Sequence, residues 1–311
     1  MKILYLTDGG FHGYASDFNF GKRPHGTWIQ LLNAFHCNYD NIDSLKEKFD
    51  VTIMAALHEN RNLIQNNYIE KLRLISKKIG FSQEGAHNSF FSKTNILNQV
   101  FYVNIIQNVD FILCHNDADK TYYETLYNKP CYINRQMICD VGDNNTDKEE
   151  KIMLPGAVGY YYGNFDGYLM GLELGLPIYT YKGHTYTSHH DNLDNINYLN
   201  WELDYIKFNK HLQTYKYCLY LLQNPIGGSF PLQCAMNKVA CVAWNNCETA
   251  KTCFPDLVCD YGNFNQVRNV LKNLTDKTYY TNVVESSRKL FLENYNFNDY
   301  TEKMLKFLGN L

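Results

Sequence analysis

Residues 224–246, NPIGGSFPLQCAMNKVACVAWNN, decide how this chain is read: a glycine-rich turn, then a helix, then a short buried strand. Gly227 and Gly228 let the backbone come close to a ligand. The N–H groups of the turn and the N-terminus of the following helix would then form a site suited to phosphate. Phe230, Leu232, Ala235 and Met236 make an apolar helix face, and Val239 to Trp244 is a short β-rich run. Two adjacent glycines also make an ordinary turn, so the weight of this stretch depends on its surroundings.

Outward from it, strand and helix signals alternate along the whole chain. In the first half, strands are expected at 2–7, 50–56, 78–82, 109–115 and 130–134, with helical patterns at 27–35, 67–76, 95–107 and 119–127. Apolar strands interleaved with amphipathic helices predict a parallel sheet covered on both faces, with ligands beyond the carboxyl ends of the strands. The segment 140–151, DVGDNNTDKEEK, is polar and aperiodic and reads as a linker. The alternation then restarts, with strands at 152–157, 177–181, 196–199, 217–222, 239–243 and 257–260. Helices are expected at 165–174, 205–212, 264–274 and 281–294, besides the one after the Gly-Gly turn. Residues 298–308 carry Tyr300, Met304, Leu305 and Leu308 at helical spacing. The fold class predicted is α/β, two Rossmann-like parallel-sheet domains facing a central cleft. The domains are 1–140 and 152–294, joined by a linker at 141–151, with 295–311 a helix packing back on the first.

Length and composition suit this. With 311 residues, 45% hydrophobic and 20% charged, the chain is expected to be globular and long enough for two cores. No run approaches the ~18 apolar residues of a membrane span. The opening MKILYLTDGG reads as a first strand, its apolar part too short for a signal peptide. The expected setting is the cytoplasm. The frequent Asn, Tyr, Lys and Ile suggest an AT-rich genome, a viral one included, which would make it a host's cytoplasm. A formal net charge of −3 leaves no global basic field to hold nucleic acid. The ten cysteines include Cys241, Cys247, Cys253 and Cys259 at six-residue spacing, but no CxxC pair occurs. Close ligand pairs are what zinc sites normally use, so reduced thiols and no metal are expected.

The stretch 201–294 resembles the GT-B glycosyltransferases, particularly the retaining group that uses nucleotide-sugar donors. LYLLQNPIGGSFPLQCAMNKVACVAW follows that family's rhythm of strand, glycine turn, helix reading E-A-M-A, and valine-rich strand. NNCETAKTCFPDLVCDYGN resembles the next loop, strand and turn. The first domain matches more loosely, through LTDGG and HGTWIQLLNAF. The resemblance implies transfer of a sugar from a nucleoside diphosphate to a hydroxyl acceptor, with no cofactor beyond the donor and no metal. The family's two glutamates flanking the turn are absent: the aligned positions are Ile226 and Cys234, with Gln233 beside the latter.

The expected donor residues are the backbone of Gly227, Gly228 and Phe230, the Ser229 hydroxyl, Gln233, Lys182 after a strand, and Glu248 on a loop. Glu84 and His87, after the third strand in SQEGAHNSFF, are the catalytic candidates, because a carboxylate or imidazole there can orient or deprotonate an acceptor hydroxyl. Gly9, Gly10 and His12 near the first strand, His115 after the fourth, and His184 in GHTYTSHHD are candidates for the acceptor side. Each also reads as an ordinary loop residue, and Asn116–Asp117 as a helix start. HxxxxHHD matches no closed zinc pattern. The partners expected are a nucleotide sugar and a hydroxyl on a glycan, a protein or a modified DNA base. A non-catalytic nucleotide-sugar-binding module and a sugar-nucleotide epimerase of the same shape remain open.

Overall fold

Strand runs with no polar face must be buried on both sides, and this chain supplies two sets of them. The computed structural model describes residues 1–7, 12–14, 32–55, 68–82, 96–141, 146–155, 164–181, 193, 195–200, 204–222 and 228–311. These form two compact units: unit 1 runs to Met137 and takes in Phe297–Leu311, and unit 2 is Ile138–Asn296.

Unit 1 contains β1 (Ile3–Thr7), β2 (Gly13–Tyr14), β3 (Phe35–Asn38), β4 (Phe49–Ala55), α1 (Tyr68–Ile75), β5 (Ser76–Ser82), α2 (Ile96–Asn108), β6 (Phe111–Cys114), α3 (Asp117–Tyr127) and β7 (Cys131–Ile133). Its sheet order is β2-β3-β1-β4-β5-β6-β7, parallel except for β2 on β3. Leu4, Leu6, Ile79, Phe81 and Ile112 from the strands pack against Leu72, Tyr102, Ile105 and Tyr123 from the helices. Asp110 ties α1 to the sheet, pairing with Arg73 and accepting the Ile79 N–H at 2.7 Å. Burial pushes its carboxyl up, but Arg73 and the Ile79 amide outweigh that and hold it below the ordinary carboxylate value.

Unit 2 contains β8 (Glu149–Met153), α4 (Phe165–Leu174), β9 (Ile178–Tyr181), β10 (Ile196–Leu199), α5 (Tyr205–Leu212), β11 (Tyr215–Tyr220), α6 (Ser229–Met236), β12 (Ala240–Trp244), α7 (Glu248–Cys253), β13 (Val258–Cys259), α8 (Phe264–Asn273) and α9 (Lys277–Asn294). All its strands are parallel, in the order β10-β9-β8-β11-β12-β13. Alternation along β12 shows how both faces are filled. Trp244 meets Phe264 of α8 edge-on at 5.5 Å, while Cys241 turns to the opposite face, where Cys234 of α6 lies. The α6, α7 and α9 helices pack on one another. Arg268 of α8 pairs with Glu173 of α4 at 2.6 Å. At the amino edge, Lys148 donates to the Gln213 and Asn237 carbonyls, and a buried chain of amides links Gln213, Asn237 and Asn209. The closing helix α10 (Phe297–Gly309) belongs to unit 1, with Phe307 on Phe111 and Tyr132, and the Tyr300 hydroxyl donating to Asn134 at 2.7 Å.

The structure corrects several expectations. The helix expected at 27–35 does not reach Phe35, which opens β3; residues 27–31 lie outside the described set. The strand expected at 152–157 starts at Glu149, inside the segment read as linker. Its charges are accommodated at the strand's start: Lys151 sits 4.4 Å from the Tyr215 ring and pairs with Glu149 at 3.1 Å. Such alternation of charge and apolar stem looks aperiodic in sequence. The loop expected after β12 is the short helix α7. Among the described residues, no helix is long and apolar enough to cross a membrane.

Two stability predictions follow from unit 1. Gly80 lies under Phe111, and a Cβ there would fall within the ring, 2.7 Å from Cε1. Gly80→Ala is expected to destabilise the chain by about 1–3 kcal/mol in urea unfolding, since a filled core resists extra volume. His36 is buried beside Tyr5, and burial, aided by nearby His12, pushes its imidazole down to about 4 from 6.5. The unfolded chain therefore binds a proton that the folded chain refuses, so stability falls as pH drops from 6.5 towards 4 and this contribution changes no further below that. Urea midpoints measured across that window should show the fall, with a shallower slope in His36→Phe.

Candidate functional site

Where the strand order of an open α/β sheet reverses, the flanking helices leave to opposite faces and a crevice opens at the carboxyl ends. Counting unit 2 from β8, the order is 3-2-1-4-5-6, so the reversal lies between β8 and β11, paired through Ile152–Tyr217 and Met153–Cys218. The chain leaves β8 through Leu154 and Pro155 and leaves β11 through Leu221 and Leu222, all buried and apolar. Among the described residues, the polar groups at this edge therefore come from the helix starts.

The α6 helix begins here. Its N-cap is Gly228, extended at φ −71, ψ 144, and it offers no capping side chain. By contrast α3, α5, α8 and α9 each have an Asn or Asp oxygen on a first-turn N–H. The first turn of α6 contains no acidic residue, and its third position, Pro231, has no N–H. The Ser229 and Phe230 amides receive no side-chain cap and lie at the positive end of the helix dipole, an arrangement that suits an anion.

Packing fixes this turn. A Cβ on Gly228 would land on the Tyr220 hydroxyl, 2.9 Å from Cζ. The Tyr220 ring stacks with Phe230 at 6.4 Å, and Phe230 meets Phe208 of α5 edge-on at 6.0 Å. On the other side, the buried Thr249 hydroxyl of α7 donates to the Gly228 carbonyl at 2.8 Å, with the Cys247 sulfur 3.3 Å from it. The carbonyl is thus tied to α7, leaving the first-turn amides as the polar groups that α6 presents beyond its start.

The start of α4 approaches the same edge. Asn164 is fully buried, its amide 3.4 Å from the Pro155 carbonyl. Gly167 sits close to the end of β11: a Cβ would lie 3.1 Å from the Leu219 carbonyl and 2.5 Å from Asn164 Oδ1. Asp166, in the first turn, faces Trp244 at the end of β12. Burial pushes its carboxyl up, and the indole partly offsets this.

Of the expected donor residues, Gly228, Ser229 and Phe230 come together at the α6 start, the last two already helical. Gln233 lies a turn further on, buried, its carbonyl accepting from Asn237 at 2.8 Å. Glu248 opens α7 instead of standing on a loop, and pairs with Lys251. In unit 1, His12 is exposed and edge-on to Phe35 at 5.1 Å. His115 follows β6, and Asn116 after it caps α3 through the Asp119 N–H at 2.8 Å. Gly9, Gly10, Glu84, His87, Lys182, His184, Ile226 and Gly227 lie outside the described residues. Sequence reasoning missed Tyr220, Thr249, Asn164 and Asp166. One tyrosine among 26 carries no signal, and Thr249 gains its role only when α7 folds against α6.

No protein-family model and no curated protein sequence matches the chain. Solved structures match it in shape. Anabaena HepE in complex with UDP-glucose gives a TM-score of 0.69 at 8% identity over 100% of both chains. Trehalose-6-phosphate synthase OtsA gives 0.63 at 11% identity, covering 88% of this chain and 75% of that one. S. aureus TarM in a complex containing UDP gives 0.62 at 10% identity, covering 90% of this chain. The chain spans only 58% of TarM's own length. These neighbours are GT-B glycosyltransferases, and the chain has the GT-B fold, two parallel-sheet α/β domains. At such identities the likeness shows the fold alone.

The Gly228–Tyr220 contact gives a coupling test. Gly228→Ala is expected to destabilise by about 1–3 kcal/mol through the clash. In a Tyr220→Phe background, where the struck hydroxyl is gone, the same change should cost less. A double-mutant cycle by urea unfolding reads the difference.

Proposed function

We propose that the chain is a glycosyltransferase that moves a sugar from a nucleoside-diphosphate sugar to a hydroxyl acceptor, with unit 2 as the donor domain. The observation that carries this reading is the uncapped α6 start at the strand-order reversal, its glycine held against Tyr220 and its carbonyl tied to Thr249. As the bond from the sugar's anomeric carbon to the diphosphate oxygen breaks, negative charge grows on the leaving group. Amides aimed at developing charge are worth about 3 kcal/mol each in the best-studied oxyanion sites, and a helix N-terminus adds up to about 2. That stabilisation needs no metal. The backbone of Gly227 to Phe230 and the Ser229 hydroxyl take the diphosphate in this reading, with Lys182, directly after β9, as the neutralising cation. Gln233 and Glu248 are the polar groups assigned to ribose and sugar.

The acceptor is assigned to unit 1, with Glu84 or His87 orienting or deprotonating its hydroxyl and His12, His115, Gly9 and Gly10 on the same side. His184 remains a donor or acceptor contact from unit 2. Glycans, proteins and a modified nucleobase all offer a suitable hydroxyl. Support for a UDP-linked donor and for retention comes from HepE, seen with UDP-glucose, and a trehalose-6-phosphate synthase studied for glycosyltransfer with retention. A cytoplasmic setting, a host's if the chain is viral, suits ten free thiols.

The test is a thermal melt with UDP- and GDP-sugars, paired with chromatography of the products. A binding sugar nucleotide at a hundredfold its Kd should add about 2.7 kcal/mol and raise the melting temperature. Free nucleoside diphosphate should accumulate when an acceptor is present. No shift with any nucleotide sugar at millimolar levels would overturn the proposal. Binding without transfer or donor hydrolysis would make the protein a non-catalytic module, and an altered sugar without acceptor would make it an epimerase.

A further inference from the structure

The core beneath α6 holds a cluster that sugar transfer does not use. Cys218 of β11, Cys234 of α6 and Cys241 of β12 bring their sulfurs within 4.8 Å of one another, all fully buried. The arrangement follows from the fold. Parallel pairing sets Cys218 beside Cys241, and β-alternation turns both to the face that α6 covers. Cys234, a helical turn and a half beyond Gly228, comes down onto them. The three are far apart in sequence, so no CxxC spacing announces them, and all ten cysteines are free thiols.

We propose that Cys218, Cys234 and Cys241 form a three-sulfur site for a soft d10 metal ion, an ion that braces α6 against the sheet. Thiolates are the ligands that select such ions. A metal about 2.3 Å from each of three sulfurs sets them roughly 4 Å apart, so the cluster needs to close by less than about 1 Å. Among the described residues no fourth Cys, His or carboxylate joins the group, which suits three-coordinate Cu(I). Charge balance pulls towards a divalent ion. Three thiolates around a 2+ ion leave one negative charge, which the Lys148 ammonium, acting on Cys234, offsets. Metal entry releases the thiol protons to water. None of this rests on the glycosyltransferase reading.

The experiment titrates the reduced, metal-free full chain anaerobically with Cu(I) and, separately, with Cd(II). It reads thiolate-to-metal charge-transfer absorbance and bound metal by mass spectrometry. One ion per chain is expected with at least one of the two. Affinity should be at least tenfold weaker in Cys234→Ala and Cys241→Ala, and unchanged in Cys131→Ala of unit 1. X-ray absorption of the loaded wild-type chain should count three sulfur neighbours, which keeps the test alive if the variants misfold. No stoichiometric binding of either ion, full affinity in a folded Cys234→Ala chain, or a sulfur count other than three would overturn the proposal.

Discussion

The reversal of strand order between β8 and β11 is the constraint on which unit 2 depends. Right-handed crossovers from a right-twisted sheet send α4 and α6 to opposite faces once the chain changes direction. Two helix starts must then converge on the one edge where neither helix covers the sheet. The strand ends there, Leu154–Pro155 and Leu221–Leu222, are apolar and supply no polar chemistry. Among the described residues, the polar groups at that edge come from the helix starts, whose backbone is held by small residues and buried anchors.

Tyr220 and Thr249 turn this topology into a defined geometry. A glycine at an N-cap supplies no capping side chain, and Gly228 forgoes the oxygen that α3, α5, α8 and α9 possess. The ring of Tyr220 fills the space that a side chain would occupy, and Thr249 takes the carbonyl. The turn is thus rigid without being capped. The first-turn amides are thereby held in place without a side-chain acceptor from the N-cap.

Most of the fold was legible because parallel sheets advertise themselves. Buried strands such as FILC at Phe111–Cys114 read as unbroken apolar runs, and helices such as Phe264–Asn273, which buries Val267 and Leu271 four residues apart, have the expected period. What escaped was short or mixed. The β3 strand, FHCN, is four residues with a histidine inside, α7 spans six, and β8 opens with three charged residues. The site was legible only where backbone makes it. Gly228 and the helix after it could be read from sequence as a glycine turn ahead of an apolar helix face, whereas Tyr220 and Thr249 come from elsewhere in the chain and meet it only by folding.

Cys234 stands where the resemblance in sequence implies an acid. Its side chain lies in the core against Cys218 and Cys241, fully buried. A glutamate there would bring a carboxylate into an apolar pocket, a burial that costs several kcal/mol unless paired. That face of α6 is committed to the sheet by Cys218 and Cys241. The polar side chains in the first turns of these helices or just beyond are Ser229 and Gln233 on α6, Glu248 and Thr249 on α7, and Asp166 on α4, brought to the edge by topology and not by sequence spacing.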